Sequence, residues 1–275
     1  MSLNDRWVRL SWRDYRRVGA PVVYAQGECI TMTAHNYDAG GVGFAGRVAF
    51  VTGCGSREGI GYACARELGR QGASVAITST TERIHERTAE LAANGANVQG
   101  YVADLTSDEQ VAGLVDAVLS HFGKIDALVN NAGMLQSGQA ATTRPFLEMR
   151  AEDWQRALAL NLTTAFLLTR AVAPGMVARG YGRIVQMSSV TGPVVAIPGD
   201  SGYAAAKAGM LGLTRTLALE LGRSGVTANA VAPGWIQTGS SSEAEIEAGR
   251  ATPLGRPGWP GRSRAGSWSC RRARS

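Results

Sequence analysis

Histidine is scarce. His35, His85 and His121 are the only three in 275 residues, and they are scattered. That scattering argues against a metal centre. The four cysteines, Cys29, Cys54, Cys64 and Cys270, have neither paired nor metal-type spacing. A disulfide framework is therefore not expected, and a reducing, cytoplasmic setting is. No apolar run reaches the ~18 residues of a membrane-spanning helix, and the arginine-rich opening lacks the apolar stretch of a secretory signal. A basic surface is missing too. The formal charge of +6 equals the six arginines of residues 256–275, where no acid occurs, so residues 1–255 balance. Neither nucleic acid nor a membrane is expected as a partner.

What is present, from about Gly46 onward, is alternation. "RVAFVTG", "ASVAITS", "NVQGYVAD", "IDALVNNAG", "GRIVQMSS" and "GVTANAVAPG" have the short β-branched character of strands. Between them, residues 59–71, 82–94, 107–122, 152–178 and 202–222 have helical character. The pattern predicts an α/β fold, a doubly wound, mainly parallel sheet with helices on both faces, in a single domain. Such a sheet binds ligands beyond the carboxyl ends of its strands. Residues 1–43 are expected to be a poorly ordered extension. Met32 offers a second start, so residues 1–31 are read as a start-site overrun. The Arg/Gly/Ser/Pro/Trp-rich tail 256–275 has no periodicity and is expected to be disordered. It resembles an out-of-frame reading of GC-rich DNA.

"VTGCGSREGIGYACARELG" joins the first regular strand to the first helix. Gly53 and Gly55 suit a tight turn. Gly59 and Gly61 would let backbone N–H groups approach a pyrophosphate at the helix N-terminus. At the end of the next strand an acid would hold an adenosine ribose, but Ser79 stands there and the first carboxylate is Glu82. Small hydroxyl residues leave room for a 2′-phosphate, with Arg57 or Arg83 as its counter-charge. NADP(H) is accordingly favoured over NAD(H). Asp104, ending the third regular strand, could accept a hydrogen bond from adenine or cap the following helix. Ala132 and Gly133 are small enough for a cofactor to lie against, while Asn130 and Asn131 could tie strand ends together.

Tyr203 and Lys207 in "SGYAAAKAG" lie one helical turn apart on one face. The alanines between them would keep the surface low for a flat cofactor. A free phenol, with a pKa near ~10, is a poor proton shuttle at neutral pH. A nearby ammonium would lower that value and make the pair a general acid/base. Fourteen residues before Tyr203, "QMSSV" ends a strand with Ser188 and Ser189, whose hydroxyls could polarise a carbonyl.

Taken in order, the glycine loop, "NNAG", the serine, Tyr203-x-x-x-Lys207 and "PGWIQT" (233–238) resemble the short-chain dehydrogenase/reductase family. Among its branches the chain is most similar to 3-oxoacyl-[acyl-carrier-protein] reductases. The likeness covers about residues 44–255, the expected Rossmann-type catalytic domain. It implies an NAD(P)-dependent interconversion of a carbonyl and a secondary alcohol. Tyr203 would act as acid/base, Lys207 would tune it and hold the nicotinamide ribose, Ser189 rather than Ser188 would hold the substrate oxygen, and Asn161 would lead a water relay. Cofactor contacts are expected from Gly53, Ser56, Arg57, Gly59, Ile60, Gly61, Ser79, Asp104, Leu105, Asn131, Ala132, Gly133, Tyr203, Lys207, Pro233, Gly234, Ile236 and Thr238; no metal is. The expected substrate is a small-molecule or acyl-thioester carbonyl compound; the alternatives are a sugar, steroid or other secondary-alcohol dehydrogenase, or a catalytically weak dinucleotide-binding protein. The chain departs from the family pattern in its wider glycine spacing and in the tail, which replaces the usual last helix and edge strand. A homo-oligomer is expected with an intact C-terminus and a weakened one if the tail is genuine, since the strand at 226–232 would then be an exposed edge.

Overall fold

The computed structural model describes residues 43–133 and 143–260, together with the backbone of Val23–Tyr24. Its strands are β1 (Val23–Tyr24), β2 (Val48–Thr52), β3 (Ser74–Ser79), β4 (Val98–Val102), β5 (Ala127–Asn130), β6 (Gly182–Met187) and β7 (Val226–Ala232). The helices are α1 (Ile60–Arg70), α2 (Arg83–Ala93), α3 (Asp108–Phe122), α4 (Ala151–Leu158), α5 (Thr164–Ala178), α6 (Ser201–Leu221) and α7 (Glu243–Arg250). All strand pairs are parallel, in the order β1-β7-β6-β5-β2-β3-β4. The direction of winding reverses between β2 and β5, where this class of sheet opens a ligand crevice.

Strand alternation divides the core in two. Phe50 joins Leu114, Val118, Leu128, Leu168, Met176 and Ile184 beneath α3 and α5. Its neighbour Val51 points the other way, with Val75, Ile77, Tyr62, Ile84 and Leu91 under α1 and α2. Every residue of β2 is buried, as expected for a central strand covered on both faces. Helix boundaries follow local chemistry: Ser107 caps α3 by accepting from the Gln110 N–H, and Gly123 ends it at φ 77°, where a side chain would be strained.

Four features were not expected from sequence. The predicted helix over 152–178 is continuous but widens into a π-helical turn at Ala159–Thr163. The span Ala151–Ala178 is by length and composition apolar enough to cross a membrane, yet 56% of its most apolar window is buried inside the fold. Residues 243–250, to which the sequence pattern assigned no element, form α7, started by a reciprocal Ser242–Glu245 capping box. The tail does not leave the fold at 256: Gly258 donates to Trp235 O and accepts from Gln237 N, both at 2.8 Å, and Pro257 packs where Gly249 has no side chain. Finally, Val23 and Tyr24, within the segment read as an overrun, pair with Val231 and Ala232. The expected bare edge of β7 is thus covered at its carboxyl end. The remainder of the N-terminal extension, and residues 261–275, lie outside the described residues.

Candidate active site

The first wall of the crevice is built where β2 meets β5. The Thr52 hydroxyl accepts from the backbone N–H groups of Asn131 and Ala132 at 2.9 and 2.8 Å. Asn131 Nδ2 returns donors to the carbonyls of Thr52 and Gly53 at 3.0 and 3.2 Å. Asn131 therefore ties strand ends as expected, whereas Asn130 turns inward and donates to Thr169 Oγ1 on α5 at 2.9 Å. Gly53, at φ 70°, makes the turn out of β2.

Gly61 works differently from the expectation. A Cβ there would lie 2.5 Å from Asn131 Nδ2, 2.6 Å from Gly53 O and 2.8 Å from Thr52 O. Its bareness lets α1 sit on the strand ends. Gly55 is bare because Ser79 packs against it, 3.0 Å from where a Cβ would be. Beyond these contacts, α1 begins at Gly59 with no side-chain cap and no acid in its first turn. Its free N–H groups and positive dipole end suit a phosphate.

On the adenosine side, no carboxylate ends β3. Ser79 Oγ donates to Thr81 O at 2.8 Å. Arg83 is exposed with Nε on Thr81 Oγ1, and Arg57 is exposed, 3.8 Å from Glu90. Asp104 is not the cap of α3, a role Ser107 takes. Its Oδ1 accepts instead from the N–H and hydroxyl of Thr106 at 2.9 and 2.8 Å. The Leu105 side chain belongs to the core, which leaves its backbone for the expected cofactor contact.

The second wall is made of side chains. β6 delivers Ser188 and Ser189, and the structure separates them. Ser188 is buried, its hydroxyl donating to Lys207 O at 2.8 Å and its N–H to Val231 O at 2.7 Å. It fixes α6 against β6. Ser189 stays partly open and accepts from Thr191 N at 3.1 Å, and its hydroxyl is close enough to the Tyr203 phenol to favour ionisation there. Lys207 is only 4% exposed. Its Nζ donates to Met187 O at 2.9 Å and lies 5.5 Å from the centre of the Tyr203 ring.

Asn161 sits in the π-helical turn, buried, with Nδ2 donating to Ala157 O at 3.1 Å. π-helical turns commonly mark functional positions. Gly133 brings the walls together: a Cβ there would be 2.8 Å from Asn161 Oδ1 and 3.3 Å from Lys207 Nζ. The alanines of α6 have separate tasks. Ala206 is fully buried in the core, and Ala204 presents its carbonyl to Gly192, where a Cβ would overlap it. The "PGWIQT" segment leaves β7 above this wall. Pro233 O accepts from Val190 N at 3.0 Å, and Thr238 N donates to Ser241 Oγ at 2.9 Å.

The electrostatics depart from the expected lowering of the phenol. Burial raises the Tyr203 pKa; the Ser189 hydroxyl pulls it down, and the charges of Asp200 and Glu245 push it further up. Lys207 is itself pushed down to about 8 by burial. In the folded chain alone, desolvation is the largest influence on the phenol.

A crevice at the winding reversal, with an uncapped helix end on one wall and a tyrosine–lysine–serine set on the other, defines a dinucleotide-dependent oxidoreductase of the doubly wound class. The comparisons with known proteins agree. The sequence profile described as Enoyl-(Acyl carrier protein) reductase matches residues 53–261. The chain is 41% identical over 211 residues to the 3-oxoacyl-[acyl-carrier-protein] reductase FabG of Pseudomonas aeruginosa, covering 76% of this chain and 81% of that one. It is 38% identical over 193 residues to the oxidoreductase UcpA of Escherichia coli, covering 70% of each. The crystal structure of an NAD+-bound xylitol dehydrogenase superposes with a TM-score of 0.70 at 31% identity, covering 79% of this chain and 89% of that one.

The chain belongs to the short-chain dehydrogenase/reductase family. It is an oxidoreductase that interconverts a carbonyl and an alcohol with a nicotinamide dinucleotide.

Thr52 was missed from sequence. A threonine ending a strand before a glycine loop has no local feature that announces two N–H donors arriving from residues 131 and 132.

Proposed function

We propose that Tyr203, Lys207, Ser189 and Asn161 carry the proton chemistry of a carbonyl reduction that prefers NADP(H). The observation that carries this reading is the buried Lys207 ammonium, one helical turn from Tyr203 with its Nζ 5.5 Å from the ring centre. The dinucleotide supplies the hydride; the chain positions the substrate and moves the proton. Ser189 and Tyr203 present two hydroxyls to a carbonyl oxygen, where negative charge develops. A phenol kept neutral by burial is suited to donate its proton to that oxygen. Lys207 then balances the phenolate, and its own depressed pKa of about 8 eases proton exchange. Asn161, beside Lys207 at Gly133, leads the proton toward water.

The site fits the dinucleotide. The uncapped start of α1, with Ser56, Arg57, Gly59 and Ile60, would take the pyrophosphate. Asp104 would face the adenine, Ala132 and Gly133 would support the nicotinamide ribose, and Pro233, Gly234, Ile236 and Thr238 would close over the carboxamide. Preference for the 2′-phosphate rests on the Ser79 hydroxyl where an acid could stand and on exposed Arg57 and Arg83 nearby.

A 3-oxoacyl thioester, the substrate class named for the Pseudomonas relative, is the favoured substrate. A polyol, named for the xylitol dehydrogenase, is the second. NADPH consumption with a panel of 3-oxoacyl thioesters, ketones and sugars tests the reading. Turnover that survives Tyr203→Phe would remove the mechanism. A KM for NADPH unchanged in Arg57→Ala/Arg83→Ala would remove the cofactor preference.

A further inference from the structure

Asp200 stands at the N-cap of α6, three residues before Tyr203 and one turn away. An aspartate there ordinarily accepts from N–H groups of the first turn, but Asp200 makes no such bond. Its Oδ1 accepts the Thr143 hydroxyl at 3.1 Å. The neighbouring backbone is clamped to the same segment, with Arg144 N donating to Gly199 O at 3.1 Å. A Cβ on Gly199 would lie 3.0 Å from Thr143 Cγ2. The carboxylate is thus drawn away from the helix end and held, half-buried, within one turn of the phenol.

Glu245, in the first turn of α7, is held as firmly. Its Oε2 accepts from the N–H and hydroxyl of Ser242 at 2.7 and 3.0 Å. The two carboxylates come from opposite elements, yet both act on Tyr203, and Glu245 also raises the Asp200 carboxyl.

The described cations nearby do not cancel them. Lys207 is sealed below the phenol and bound to Met187 O. Arg144 and Arg150 converge on Asp153 at 3.0 and 2.8 Å. Two carboxylates thus bear on the phenol without a described cation between them.

We infer that Asp200, supported by Glu245, is a specificity-determining residue that turns away substrates carrying a carboxylate beside the reacting carbonyl and admits neutral esters, thioesters or polyols. This rests on the assignment of Tyr203 as proton donor. A substrate carboxylate a few ångströms from these groups meets repulsion that water and salt only partly screen.

The experiment compares kcat/KM for ethyl acetoacetate and for free acetoacetate in the native protein, Asp200→Asn and Glu245→Gln. Asparagine keeps an acceptor for Thr143, and glutamine keeps the capping box. The native protein favours the ester. Asp200→Asn shrinks the ester-to-acid ratio about tenfold and Glu245→Gln about threefold, as expected for loss of one nearby and one more distant like charge. Equal use of acid and ester by the native protein, or a ratio unmoved in Asp200→Asn, overturns the inference.

Near-ultraviolet titration, with Tyr203→Phe subtracted to isolate the one phenol, tests the inference independently of turnover. The Tyr203 midpoint falls in Asp200→Asn, and an unmoved midpoint overturns the inference. No turnover of any carbonyl by the native protein would instead break the oxidoreductase mechanism, and the titration would still register the charge of Asp200 at the phenol.

Discussion

The two walls of the crevice are made by opposite means. The wall at β2 and β5 is steric: Gly53, Gly61, Thr52 and Asn131 close an almost side-chain-free joint in which backbone groups satisfy one another. The wall at β6 and α6 is electrostatic: it buries an ammonium and most of a phenol and leaves the Ser189 hydroxyl partly open. The first wall adds to stability as any well-packed joint does. The second costs stability, because charge is taken from water without a partner of opposite sign. Holding a ligand needs shape, whereas moving a proton needs groups in environments they would not choose.

The sharpest way to break this contrast is Tyr203→Phe. Turnover falls about a thousandfold, the usual scale for losing a general acid, while the thermal midpoint stays within ~2 °C, a fraction of a kcal/mol for a domain of this size. A large loss of stability would mean that the phenol belongs to the scaffold.

Gly61→Ala should do the reverse. Its methyl group would meet three atoms within 2.8 Å, and the cost is about 3 kcal/mol, read as a lowered denaturant midpoint. A neutral effect would show that the joint yields.

Lys207→Met combines the two results. Turnover is lost, yet stability at neutral pH is held or raised. Shifting the ammonium from 10.5 to about 8 corresponds to a burial cost of about 3 kcal/mol. The sign follows from proton binding. Between about 8 and 10.5 the unfolded chain holds the proton and the folded one does not, so native stability climbs with pH across that window. Reduction by the native protein should fall over the same rise above about 8, as Lys207 loses its charge. A pH–rate profile flat to pH 9.5 would contradict the role given to the ammonium.

The paired serines sharpen the comparison within a single strand end. Ser188→Ala loses the bond to Lys207 O and costs about 1–2 kcal/mol, whereas Ser189→Ala costs turnover and little stability. The smallest effect is at the sheet edge. Removing residues 1–31, and with them the pairing of Val23 and Tyr24 to β7, lowers the thermal midpoint by about 2–4 °C. An unchanged midpoint would show that β1 contributes nothing.

The regular strands and helices were legible because the central strands are near-continuous apolar runs and the helices carry their own periodicity. α7 was hidden, since "EAEIEAGR" is too short and polar to declare a buried face; its capping box was the missed signal. The π-helical turn at 159–163 was also hidden, because nothing local in "ALNLT" requires a widened turn. Among the candidate residues, Tyr203 and Lys207 were picked by spacing and Ser189 and Asn161 by the family resemblance; the fold sets Asn161 and Lys207 side by side at Gly133 and Lys207 near the Tyr203 ring. For Leu105 the motif position does not say which way the side chain faces, and the fold turns it into the core.

The sequence by itself determined the alternation of elements, the glycine turn out of β2 and the helical phase that sets Tyr203 and Lys207 on one face, since these depend on backbone sterics and period alone. Only the tertiary structure decided that the Ser188 hydroxyl is spent on Lys207 O, that Thr52 receives two backbone donors, that Val23–Tyr24 lies beside β7, and that burial pushes the phenol up rather than down. Each of those depends on how far water is excluded and which distant groups replace it, quantities that exist only once the chain has closed on itself.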